Sequence, residues 1–292
     1  MGLLDSILGL FDGQGHNLEE LARRLGVTRQ QLSAVKIHYR EFDIRKRGGG
    51  NRLICAPSKE LKAMQRRINQ RLLRRLKVHL AATGFEPGGG IVRNAAPHAG
   101  KQVVVKLDVK NFFPSTSERR VRRWFRQIGW NRRAAELLTK LCTYHDGLPQ
   151  GAPTSPAISN RINCGMDALL SKLADEHGAT YTRYADDMTF SFRVDDPDRI
   201  GSLIVKARKL LSRKYGYRIH PGKLSVLRRH QQQRVTGLVV NEGVRLPRKT
   251  RRWLRAVQHH LDTGRPSTLS KWQLYGWRCF QFMVEKQSSR KI

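Results

Sequence analysis

The chain has 292 residues, enough for one large domain or two ordinary ones, and 39% of them are hydrophobic, enough for a packed core. Its 56 Lys and Arg against 23 Asp and Glu leave a formal net charge of +33, which implies a polyanionic partner, nucleic acid before any other. No apolar run approaches the roughly 18 residues of a spanning helix, which argues against a membrane protein, and the N-terminal Leu3, Leu4, Ile7 and Leu8 surround Asp5 without a basic leader, unlike a signal peptide.

Residues 17–35 predict two short helices, with Asn17 and Thr28 as caps and Gly26 as the turn. The pair resembles a helix-turn-helix, although a helical extension packed on the main domain is the preferred reading over a DNA reader. Residues 42–56 predict a strand pair turning at Gly48-Gly49-Gly50. A basic helix is expected over Lys59–Leu80, from the spacing of Leu61, Met64, Ile68, Leu72 and Leu76. Residues 83–101 read as an irregular Gly- and Pro-rich stretch. Val103–Leu107 is a buried strand with Asp108 at its end. Helices follow at 117–129 and 132–144, and one more opens at Ser155-Pro156 and ends at Gly178. Thr180–Phe192 predicts a hairpin turning at Ala185-Asp186. An amphipathic helix opens at Asp196-Pro197 and closes at Gly216, and short strands run to about Leu246. Residues 245–292 hold 12 Lys and Arg against two acids, interleaved with Trp253, Trp272, Tyr275, Trp277, Phe280 and Phe282. They read as a helical subdomain gripping a phosphate backbone. The four cysteines (Cys55, Cys142, Cys164, Cys279) are too scattered for a zinc site or a disulfide framework, which fits a cytoplasmic protein.

The chemistry lies in the carboxylates. Asp186 and Asp187 sit side by side in a turn between apolar strands, and Asp108 ends a strand expected to be central. Carboxylates so placed are costly to desolvate unless something pairs with them. Mg2+ is a natural partner, because it favours carboxylates together with substrate phosphates. Two such ions could activate an attacking hydroxyl and stabilise a leaving phosphate oxygen. An Asp-Asp turn alone is more often a solvated turn, so the reading depends on its surroundings.

Those surroundings carry a resemblance. Tyr184-Ala185-Asp186-Asp187 resembles the Tyr-x-Asp-Asp box of reverse transcriptases, Leu107–Phe113 looks like their first palm motif, and Gly147–Pro156 looks like their Gln-Gly motif, in the family's order. Asn94-Ala95-Ala96-Pro97-His98 and Val235-Thr236-Gly237 resemble the Asn-Ala-x-x-His and Val-Thr-Gly signatures of retron reverse transcriptases. The resemblance runs from about Tyr39 to the C-terminus. It implies an α+β right-hand polymerase fold: an N-terminal helical extension over 1–38, fingers and an antiparallel palm over 39–244, and a basic helical thumb over 245–292.

By the same resemblance, Asp108, Asp186 and Asp187 would bind two Mg2+ ions and Lys223 would assist pyrophosphate departure. Here the family's usual Asn-x-x-Lys-Thr is replaced by His220-Pro221-Gly222-Lys223-Leu224. Phe113 would be the steric gate that favours deoxynucleotides. Gln150 and Gly151 would line the nucleotide pocket. Lys46 and Arg52 would contact the triphosphate, although Arg45 stands where the family usually has Pro. Asn94, His98, Val235, Thr236 and Gly237 would recognise the cognate RNA.

The implied function is RNA-directed DNA synthesis for a retron. The primer would be a guanosine 2′-hydroxyl in a structured non-coding RNA (msr-msd), and the product branched msDNA. The implied setting is antiphage defence with a separate effector protein, and host RNase H would remove the template. The rivals are an intron-type reverse transcriptase, a catalytically silent RNA-binding scaffold and a helix-turn-helix regulator. The first would call for a long C-terminal extension, the second would not need three metal ligands, and the third leaves the motifs between 100 and 240 unexplained.

Overall fold

The structure, a computed structural model, describes residues 15–46 and 49–289. The apolar N-terminal residues considered above and Gly48 of the expected turn lie outside the described residues. The chain forms two compact, discontinuous units. Of the described residues, one comprises those up to 79, 110–166 and 215–217, and the other 80–109, 167–214 and 218–289.

The first unit is mainly helical. Helix Leu18–Leu25 starts where Asn17 Oδ1 accepts from Glu20 N at 2.9 Å, and it ends at Gly26 with φ +66. Helix Arg29–Ala34 carries a reciprocal Thr28–Gln31 capping box. Leu21, Leu25 and Leu32 from this pair join Leu61, Ile68, Phe125 and Leu138 in one core, so the N-terminal helices are part of this unit. Strands β1 (Tyr39–Arg45) and β2 (Asn51–Pro57) form an antiparallel ribbon from Tyr39↔Pro57 to Arg45↔Asn51. The buried Gln65 Nε2 donates to both Tyr39 Oη and the Leu141 carbonyl at 2.8 Å, tying the ribbon to the helices. The basic helix is shorter than expected: it covers Lys59–Arg71 and gives way to a 3-10 turn at Leu73–Arg75. The helix expected from Ser155 to Gly178 is two helices, Thr154–Ile162 in this unit and Cys164–Glu176, most of which belongs to the other unit. Asn163 lies at the break, its Nδ2 bonded to the Ser159 carbonyl and to Tyr217 Oη, both at 2.9 Å. Such side-chain bonds compete with the helical ladder.

The second unit is built on an antiparallel sheet ordered β4-β5-β3-β6, where β3 is Val103–Asp108, β4 Ala179–Tyr184, β5 Asp187–Phe192 and β6 Ser225–Arg228. Central β3 buries Val103, Val104, Val105 and Leu107, as its apolar run implies. The stretch expected to be irregular contains a helical turn, Ile91–Ala95, continued by a 3-10 turn at Ala96–His98. A two-stranded ribbon, β7 (Arg234–Val235) with β8 (Leu238–Val239), and helices Arg248–Asp262 and Lys271–Ser289 complete the unit. Val92, Ala95, Val104, Val235, Leu254, Leu274 and Val284 share one core, so the basic C-terminal helices pack with these elements. Trp253, Trp277 and Phe280 are partly buried against that core, whereas Trp272, Tyr275 and Phe282 are exposed. Among the described residues no helix is long and apolar enough to cross a membrane.

Candidate active site

The sheet brings the expected carboxylates together. Antiparallel pairing of β3 with β5 places Asp108 opposite Asp187, and Val109 N donates to the Asp186 carbonyl at 3.1 Å. On the other flank of β3, His220 N donates to the Asp108 carbonyl at 2.7 Å. That bond carries the 3-10 turn Pro221–Lys223 to the site, and Lys223 Nζ sits 2.8 Å from Asp108 Oδ2. Lys106 lies two residues before Asp108, on the same side of the pleated strand. Its Nζ is 3.3 Å from Asp187 Oδ2. Burial holds the Asp186 carboxyl above its ordinary range, and the neighbouring Asp108 and Asp187 charges add to the shift.

The donor set can be tested against a divalent cation. Among the described residues no three His, Cys, Asp or Glu side chains are gathered into a metal-binding group. Asp108 and Asp187 instead meet ammonium groups, which stand where positive charge is wanted. Asp186, raised chiefly by burial, meets no such group within the ion pairs described. Three carboxylates on adjoining backbone, all hard oxygen donors, suit Mg2+, so the residues fit the group.

The remaining expected nucleotide contacts belong to the helical unit. Cys55 N donates to the Gln150 carbonyl at 2.8 Å, stitching the Gln150-Gly151 loop to β2. Gly151 has φ +131, and a Cβ there would lie 2.7 Å from the Cys55 carbonyl oxygen, so the close approach requires glycine. Lys46 N donates to the Gly50 carbonyl at the end of the β1–β2 ribbon, and the Lys46 and Arg52 side chains are exposed. Of the two adjacent rings, Phe112 is buried and Phe113 half-buried.

The two short signature segments differ from expectation. The Asn94 and His98 side chains are fully buried. Asn94 Oδ1 accepts from Thr83 Oγ1 at 2.8 Å, and the His98 ring bridges Ser191 Oγ at 2.7 Å and Thr182 Oγ1 at 2.8 Å. Burial, aided by the Lys101 charge, pushes the His98 pKa down to about 3. Val235 is also fully buried. These three side chains, expected to contact RNA, are internal braces. Thr236 is half-buried and Gly237 is exposed, with φ +47 and +84.

Sequence reasoning missed Lys106, although strand alternation puts it beside Asp108. It also missed Arg183, whose partner Asp167 is 16 positions away.

An antiparallel sheet carrying paired aspartates at a hairpin, with a third on the neighbouring strand and a lysine beside it, is the arrangement expected of a palm-type polymerase fold. Residues 44–240 match the reverse transcriptase (RNA-dependent DNA polymerase) family, and the chain belongs to it. Telomerase from Candida albicans shares the fold, with a TM-score of 0.53 and 11% identity over 79% of this chain and 49% of that one. Within the family the chain is a retron-type reverse transcriptase. It is 39% identical to the retron Mx65 reverse transcriptase of Myxococcus xanthus, over 94% of this chain and 70% of that protein. It is 32% identical to the retron Ec86 reverse transcriptase of Escherichia coli, over 95% and 87%. It is 38% identical to the retron Mx162 reverse transcriptase of M. xanthus, and there it covers 93% of its own length but 64% of the relative's.

Proposed function

We propose that the protein is the RNA-directed DNA polymerase of a retron, adding deoxynucleotides from a structured RNA template. The observation that carries this reading is the convergence of Asp108, Asp186, Asp187 and Lys223 at one end of the sheet. Asp108, Asp186 and Asp187 would hold two Mg2+ ions, whose chemistry is to activate the primer hydroxyl and neutralise charge on the leaving pyrophosphate. Lys223, bonded to Asp108 and mostly exposed, would reach a phosphate oxygen and give up a proton to it. Phe113 would select deoxynucleotides, Gln150 and Gly151 would contact the base and sugar, and Lys46 and Arg52 would bind the triphosphate. Phosphoryl transfer asks for little beyond such positioning and charge.

The retron reading extends further. The primer would be a guanosine 2′-hydroxyl of the cognate msr-msd RNA and the product branched msDNA. RNase H would remove the template, and a separate effector would act in antiphage defence. Recognition of the RNA would fall to the accessible Thr236-Gly237 backbone and the exposed cations, since Asn94, His98 and Val235 are internal. Co-expression with the flanking genomic RNA tests this reading. A covalently branched RNA–DNA product, absent in Asp186→Asn/Asp187→Asn, is expected. Extension of ordinary 3′-primers without branched product would favour a general reverse transcriptase. No Mg2+-dependent extension at all would favour a silent scaffold.

A further inference from the structure

The turn that carries Asp186 and Asp187 has an unusual support. β4 and β5 are joined through Ala185 and Asp186, with Tyr184 paired to Asp187. Ala185 takes φ +56, where a two-residue hairpin turn ordinarily places glycine. A side-chain-bearing residue stays in such a conformation when its surroundings over-determine it.

The surroundings here converge on Arg183. Its Nη1 donates to the Ala185 carbonyl at 3.0 Å. The rest of the guanidinium is held by Asp167 in two-pronged fashion, with Nε to Oδ1 at 2.8 Å and Nη2 to Oδ2 at 2.6 Å. Tyr181 Oη donates to the same carboxylate at 2.9 Å. Both charged side chains are 0% exposed. The Arg183 backbone is clamped as well: its N donates to the Ala81 carbonyl at 2.7 Å, and its carbonyl accepts from Thr83 N at 2.9 Å. Next to that clamp, a Cβ on Gly84 would come within 3.3 Å of Ala185 N and the Tyr184 ring.

A fully buried ion pair is weak evidence for stability, because apolar residues of similar volume often serve as well or better. What the apolar alternative could not supply is a rigid donor aimed at the Ala185 carbonyl. We propose that Asp167 and Arg183 are positioning residues. Asp167 fixes the guanidinium, and the guanidinium fixes the strained turn so that Asp186 and Asp187 are presented together with Asp108. This inference rests on the polymerase reading for its kinetic consequence, but not for its geometric one.

The test uses the full-length wild type, Arg183→Lys, Arg183→Lys/Ala185→Gly and Tyr181→Phe. Each is shown to be folded by its circular dichroism melt and is assayed well below its Tm. One readout is steady-state kcat and KM for dTTP on poly(rA) primed with oligo(dT). The other is the Kd for Mn2+ alone, from the electron paramagnetic resonance signal of the free ion. Arg183→Lys keeps the charge and loses the planar fork. Removing a support behind metal ligands typically costs about 10–100-fold in metal affinity or activity. The expected result is a kcat lowered about tenfold or more, an unchanged KM and a weaker Mn2+ Kd. Ala185→Gly should then recover a large part of the lost kcat, because glycine adopts φ +56 unaided. Tyr181→Phe, which removes one bond to Asp167 and keeps the ring, should show a smaller loss of the same kind.

A folded Arg183→Lys with wild-type kcat and Mn2+ affinity overturns the proposal. So does a kcat loss that Ala185→Gly does not recover, which would indicate general loosening. If Arg183→Lys does not fold, an unchanged Tyr181→Phe overturns it. A wild type that binds Mn2+ but incorporates no dTTP would defeat the polymerase reading instead, and the Mn2+ comparison alone would then decide the positioning role.

Discussion

Thr236 Oγ1 donates a 2.9 Å hydrogen bond to the main-chain carbonyl of Ile91, 145 positions earlier in the chain. Thr236 does so at φ +47, an uncommon conformation for a β-branched residue. The bond joins Val235–Gly237 to the helical turn that carries Asn94 and leads into His98. The two signature segments are therefore one packed body. Its polar side chains face inward to Thr83, Thr182 and Ser191.

That inward arrangement predicts that His98→Ala damages the fold before it touches RNA. The change leaves a cavity and takes a partner from each of two buried hydroxyls, at a cost of about 2–4 kcal/mol. Urea denaturation without nucleic acid measures it. Unchanged stability with weakened RNA binding would instead restore the direct-contact role. The pH dependence has a definite sign. His98 in the fold has a pKa of about 3 against 6.5 for the free side chain, so the unfolded chain takes up a proton that the folded one refuses. Stability is whole above about 6.5 and is lost as pH falls from there toward 3, at up to about 1.4 kcal/mol per pH unit. His98→Ala should remove this component.

Gly151→Ala should distort the β1–β2 ribbon. The new methyl would stand 2.7 Å from the Cys55 carbonyl oxygen at a φ of +131, and overpacking of this kind costs about 1–3 kcal/mol. The expected outcome is a lower Tm together with a raised KM for dNTP. A variant with wild-type Tm and KM would show that the loop can move away from β2 without consequence.

Much of this was legible in the sequence because it depends on local pattern. The apolar run before Asp108 fixed a buried strand. The apolar strands on either side of Ala185-Asp186 marked a hairpin, and together they brought three aspartates to one end of a sheet. Burial of Asn94 and His98 was not legible, because polar residues among glycines and prolines look like a surface loop. Their partners, Thr83, Thr182 and Ser191, emerge only once the sheet is folded. The Asp167–Arg183 pair was hidden for the same reason: a lone arginine in so basic a chain carries no local mark. The break at Asn163 depended on Tyr217, 54 positions away.

Lys223 touches Asp108 but leaves most of its side chain in solvent, which suits a group that must reach substrate. Lys223→Met is expected to lower kcat by about 10²-fold, the lower end of general acid contributions, with little effect on stability. Single-turnover incorporation of a correct dNTP measures it. A loss confined to KM would reassign Lys223 to nucleotide binding.

Asp186 offers a test in which stability and activity move in opposite directions. Its folded carboxyl is held above the ordinary value of 3.8, chiefly by burial and then by Asp108 and Asp187. Between the unfolded and folded values, the native state binds more protons than the unfolded chain, so stability falls as pH rises through that window. Above it, ionised Asp186 is a standing cost to the metal-free protein. Asp186→Asn removes the cost, so in EDTA at pH 7 the variant should melt above wild type, and the two should converge at a pH below the window. Added Mg2+ should reverse the order, because a cation that binds the native state stabilises it by mass action and the variant has lost one of the ligands that would hold it. Incorporation of dNTP should be abolished throughout. Thermal melts in EDTA and in Mg2+ across pH decide the matter. A variant that melts below wild type in EDTA would mean that Asp186 stabilises the fold in its own right, contrary to the cost assigned to its buried charge.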